Sequence, residues 1–64
     1  MYLYKGIGIQ PEPSELRAGG WKGDFTLIDD QEPTKYWGEE IYPTREDAER
    51  AALDSARRII DDED

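Results

Sequence analysis

Neither cysteine nor histidine occurs in the 64 residues of this chain. Without cysteine there is no disulfide staple, no thiolate nucleophile and no zinc–thiolate site, which suits a reducing compartment. Without histidine, the usual acid–base residue near neutral pH and the commonest transition-metal ligand are both missing. Carboxylates, hydroxyls, lysines and tyrosines remain for chemistry, and so short a chain has little volume for a concave pocket. We therefore read no enzyme here, no cofactor and no metal. The acidic turn at Asp29, Asp30 and Glu32 lacks the spacing and the glycine of a calcium loop. The clusters "GIG" and "AGGWKG" lack phosphate-loop spacing and lead into no helix.

No apolar run approaches the roughly 20 residues that span a bilayer, and no basic or signal-like segment follows Met1. The expected compartment is the cytoplasm. Positive charge is scarce: sixteen acidic residues face eight basic ones, a net charge of −8. That balance disfavours DNA, RNA and anionic membranes, which need basic clusters, and makes a basic protein partner electrostatically easier. A chain of this size buries only about 60% of the surface its unfolded form exposes, so association would help it.

What is present reads as an α+β domain spanning residues 1–64. Residues 2–10 alternate and are rich in aromatic and β-branched side chains, predicting a first strand that ends at the loop "QPEPSELRAGG". A second strand is expected over 21–28 and a third over 35–42, with "DDQEPT" turning the chain between them. Consecutive strands joined by short loops pair antiparallel, so the expected sheet is a three-stranded meander. Period-two alternation puts Leu3, Ile7, Ile9, Trp21, Phe25, Leu27, Trp37 and Ile41 on the core face. The other face then carries Tyr2, Tyr4, Thr26, Ile28, Tyr36 and Tyr42, with Lys22, Asp24 and Glu40 around it.

The strongest signal is "PTREDAERAALDSARRII", in which Ala48, Ala51, Ala52, Ser55, Ala56, Ile59 and Ile60 form one apolar stripe of a helix over about 45–60. Thr44 is the expected N-cap, with Asp47 at the third helical position and Glu46 favoured by the positive helix start. Glu46–Arg50 and Asp54–Arg58 are expected surface pairs. Small alanines allow the helix to lie close to one face of the sheet, with large aromatics filling the space they leave. The acidic tail, residues 61–64, is expected to fray against the helix dipole.

A sheet covered by a single helix leaves one face bare. The expected partner-binding surface is that helix-free face, Tyr2, Tyr4, Thr26, Ile28, Tyr36 and Tyr42, with Leu53 as a rim contact on the helix. The expected function is a non-enzymatic protein-binding or self-associating module, a homodimer included. The alternative is an acidic inhibitor or nucleic-acid mimic that occupies a basic site on a partner protein.

Taken together, "YKGIGI", "WKGDFTL" and "YPTREDAERAALDSARRIID" resemble small uncharacterised bacterial domains in which a three-stranded sheet precedes one helix. A looser likeness is to HicB-type antitoxin domains, which also follow strands with a Thr-x-x-x-Ala helix start. The first resemblance implies a fold without an assigned activity, and the second implies an antitoxin-like role.

Overall fold

Lys5 and Gly6, with φ of 51° and 82°, turn the chain back on itself inside what reads as one continuous strand. Positive φ at both central residues is the signature of a tight hairpin turn whose twist matches its flanking strands. In the computed structural model, which describes residues 1–62, the arms of this hairpin are β1 (Tyr2–Tyr4) and β2 (Ile7–Pro11). Then come β3 (Ser14–Glu15), β4 (Trp21–Lys22), β5 (Phe25–Asp29), β6 (Glu32–Tyr36), β7 (Ile41–Tyr42) and a single helix, α1 (Arg45–Asp62).

The α+β class with a C-terminal helix and antiparallel pairing holds, but the three-stranded meander does not. Among the described residues seven strands form two sheets, one of four strands in the order β1-β2-β5-β6 and one of three short strands in the order β3-β4-β7. A second tight turn, at Asp30–Gln31 with φ of 54° and 67°, joins β5 to β6. Glu32, Pro33 and Thr34, expected in a loop, are therefore strand residues. Pro33 is tolerated because β6 is an edge strand, where a missing N–H breaks no ladder.

The turn at Lys5–Gly6 reverses the faces of β1. Residues directly opposite in a ladder share a face, and Tyr2 lies opposite Ile9, Tyr4 opposite Ile7, Ile9 opposite Leu27, and Phe25 opposite Tyr36. These residues form the helix side of the large sheet. Leu3, placed under the helix by simple alternation, is on the other side and 75% exposed.

The core joins Ile9, Phe25 and Leu27 to Ala52, Ala56 and Ile60 of α1, with Phe25 and Tyr36 stacked at 5.1 Å between ring centroids. Ala48, Ala52 and Ala56 are fully buried, as the alanine stripe implies. The close approach extends to the backbone: a Cβ added at Gly23 would lie 2.7 Å from the Ala48 carbonyl oxygen, and one at Gly38 would lie 2.8 Å from the Gly23 nitrogen. Helix, sheet and the segment after β6 thus meet across three small residues. This contact leaves no room there for Trp37 and Ile41, which are 74% and 62% exposed rather than core, while Trp21 is half-buried.

The helix start is the one expected. The Asp47 amide donates to Thr44 Oγ1 at 3.1 Å, and the Ala48 amide donates to the Thr44 carbonyl at 3.1 Å. Replacing Thr44 by alanine should cost about 1 kcal/mol, because an orphan amide loses its acceptor. A shift of the urea midpoint at unchanged slope is the measurement, and an unchanged midpoint would refute the cap. On the helix surface the close pairs are Asp47–Arg50 at 4.0 Å and Asp54–Arg57 at 3.5 Å, one residue nearer than the expected spacing of four.

The helix also runs beyond its expected end. Asp61 and Asp62 are helical, whereas Glu63 and Asp64 of the expected acidic tail lie outside the described residues. Asp61 is tied down: Lys5 Nζ is 2.7 Å from its Oδ1, and the Tyr4 hydroxyl donates to it at 3.0 Å. A carboxylate opposes the negative helix end, and this lysine–tyrosine clamp from the first hairpin offsets that opposition.

Candidate functional site

Two surfaces emerge, one on each side of the large sheet. On the helix-free side, ladder pairing aligns Leu3, Gly8, Ile28 and Pro33 in one row across all four strands. A Cβ added at Gly8 would lie 2.7 Å from the Met1 sulfur, so the Met1 side chain covers the gap in that row. Met1 and Leu3 are each about three-quarters exposed and Ile28 is half-buried. The next row is Gln10, Thr26 and Lys35. Here Glu12 accepts hydrogen bonds from the Thr26 hydroxyl, at 2.7 Å, and from Lys35.

Of the residues expected on this face, Thr26 and Ile28 are there. Tyr2, Tyr4 and Tyr36 are on the helix side, where the Tyr2 hydroxyl reaches Glu49 and that of Tyr4 reaches Asp61. Tyr42 belongs to the small sheet, opposite Trp21. Leu53 is half-buried against the core. Asp24, expected at the edge of the exposed face, is 4% exposed. Sequence reading missed Met1, Leu3 and Pro33. The available signal was the dipeptide Lys-Gly between two apolar alternating runs, a short hairpin pattern.

Two carboxylates in these contacts are acidified. Lys35 first, then Thr26, holds Glu12 below the usual carboxylate range, and Lys5 first, then Tyr4, does the same for Asp61. A group whose folded pKa is depressed contributes stability above its unfolded pKa and loses it as pH falls through the folded value. Stability should therefore decline as the solution is acidified below the ordinary carboxylate range. Asp61→Asn should lower the denaturation midpoint at neutral pH and flatten that acid limb. A limb of unchanged steepness would mean that the clamp does not form.

The second surface is a cleft of about 720 Å³ between α1 and the segment linking β6 to β7. Phe25, Tyr36, Trp37 and Tyr42 supply its aromatic lining, and Glu39 and Glu40 stand on the linking segment. That segment is pinned by buried Asp24. One carboxylate oxygen of Asp24 accepts the Gly38 amide at 2.7 Å, and the other accepts the Ser14 hydroxyl at 2.9 Å. The Tyr42 hydroxyl donates to Glu40 at 3.1 Å; desolvation first, then this bond, raises the tyrosine pKa. Trp37 carries Lys35 over its ring, with the ammonium 5.0 Å from the centroid.

Among the described residues, no group of three or more acidic side chains is placed to hold a metal ion, and no helix is long and apolar enough to cross a membrane. No curated protein and no solved structure matches the chain, whereas one family model does so over residues 1–64, that of a domain of unknown function (DUF6566).

Proposed function

We propose that this chain, which belongs to the DUF6566 family, is a non-enzymatic self-associating module whose helix-free sheet face docks on the same face of a second copy. The observation that carries the reading is the row Leu3–Gly8–Ile28–Pro33, apolar across all four strands and, apart from the Met1 side chain over Gly8, covered by no strand or helix among the described residues. The local charge balance of this face admits a second copy as the occupant. Two chains of net charge −8 repel over most of their surfaces. On this face, however, Glu12 and Lys35 neutralise each other, so the contact itself adds no local like-charge repulsion. A domain this small also gains most from burying further apolar area. Work in the reducing cytoplasm fits the absence of cysteine.

The second reading is an acidic, antitoxin-like inhibitor occupying a basic site on a partner protein. It draws on the overall charge, but Asp47 and Asp54 on the helix are already engaged by Arg50 and Arg57. Salt separates the two readings, since a mimic loses affinity as ionic strength rises while an apolar interface keeps it.

Replacing Leu3 and Ile28 together by serine should weaken self-association by more than about tenfold, because two apolar anchors leave the centre of the interface. The helical circular dichroism should be retained. Sedimentation of both forms over a wide concentration range is the test, and a wild type that stays monomeric throughout overturns the proposal.

A further inference from the structure

The cleft lies on the opposite side of the large sheet from the apolar row and calls for a different occupant. Its two walls differ in their charge balance. On the helix wall, Asp47 and Asp54 are each paired with an arginine of the same helix, at 4.0 and 3.5 Å. On the facing wall Glu39 and Glu40 make no ion pair among the described residues, and Glu40 accepts only the neutral Tyr42 hydroxyl. Beside these carboxylates stand Tyr36, Tyr42 and Trp37, the last 74% exposed; one face of Tyr36 is stacked on Phe25, and one face of Trp37 already carries the Lys35 ammonium, an internal instance of the cation contact this ring offers. Flat aromatic faces next to unpaired carboxylates match one common side chain well. A guanidinium stacks on aromatic rings, is weakly hydrated and donates in a fork to carboxylate oxygens.

We infer that this cleft binds an arginine side chain of a partner polypeptide, with the shaft against Tyr36 and Trp37 and the guanidinium on Glu39 and Glu40. The wall is built before the guest arrives. Gly38, between Trp37 and Glu39, is held by its amide to buried Asp24 and lies against the Gly23 backbone. Less ordering is therefore needed on binding. Of the two arginines on the lining, Arg50 is paired with Asp47, and Arg58 has no carboxylate at ion-pair distance among the described residues; the two carboxylates of the facing wall exceed its charge. The inference stands apart from self-association, which uses the other side of the sheet.

The test is an amide-resolved NMR titration of the full chain with acetyl-Gly-Arg-Gly-amide, and with acetyl-Gly-Glu-Gly-amide as the charge-reversed control. The arginine peptide should shift the amides of Gly38, Glu39, Glu40 and Tyr42, and the glutamate peptide should not. Glu39→Gln with Glu40→Gln, both at exposed positions, should weaken arginine-peptide binding about tenfold, the loss expected when bonds to a charged group lose their charge. The Leu3→Ser, Ile28→Ser variant should bind the peptide like wild type. Equal shifts with both peptides, no shift with the arginine peptide, or full binding by the glutamine variant would each overturn the inference.

Discussion

Replacing Gly23 by alanine should remove a large share of the domain's stability, about 1–3 kcal/mol. The new Cβ would sit 2.7 Å from the Ala48 carbonyl oxygen and 3.3 Å from the Ala52 nitrogen. Both obstacles are helix backbone, which cannot rotate aside as a flexible side chain can. The helix must lift from the sheet, and it carries Ala52, Ala56 and Ile60 out of the core as it does so. Overpacking of this kind costs about 1–3 kcal/mol, sometimes more, against a total of about 3–5 kcal/mol for a core of this size. Gly19→Ala is the control. Gly19 has φ of 99° but no atom within 4 Å of an added Cβ, so only backbone strain of about 1 kcal/mol opposes it. Circular dichroism and urea titration of the two variants separate lost space from lost backbone freedom. Equal midpoints would mean that the helix does not approach Gly23 this closely.

Asp24→Ala should cost about 3 kcal/mol, the second large effect. The carboxylate is buried and accepts from both the Gly38 amide and the Ser14 hydroxyl. Truncation leaves those donors without an acceptor, and a lost bond to a charged group is worth about 1.5–3 kcal/mol. The consequences reach the small sheet and the cleft wall, since Ser14 belongs to β3 and Gly38 to the segment linking β6 to β7. Asp24→Asn should cost less, because its amide oxygen can still accept from Gly38 and its amide nitrogen can donate to the Ser14 oxygen. Denaturant midpoints of the three forms test the order, and an asparagine variant no more stable than the alanine variant would show that charge, not geometry, does the holding.

Much of the helix was legible in the chain. The N-cap at Thr44, the buried alanines and the start at Arg45 follow from capping chemistry and a period of 3.6, both local signals. Alternation also placed Phe25, Leu27, Thr26 and Ile28 on their correct faces. The tyrosines went to the wrong side because alternation carries no memory across a turn. Lys5 and Gln31 adopt positive φ without being glycine, and such residues seldom announce a turn. One unseen hairpin reverses the faces of β1, so Leu3 moved outward and Tyr2 and Tyr4 moved to the helix side.

The sequence by itself determined the acidic charge, the absence of thiol and imidazole chemistry, the helix with its cap, and the alanine stripe that lets that helix lie close. Each of these depends on composition or on residues within a few positions of one another. The tertiary structure decided where the helix is allowed to touch, through Gly23, Ala48 and Gly38, and hence that Trp37 lines a cleft instead of filling a core. It also decided that Asp61 is clamped by Tyr4 and Lys5 and that Asp24 is buried, accepting from Ser14 and Gly38. These are contacts between segments distant in the chain, set by strand register and backbone approach, which no local periodicity encodes.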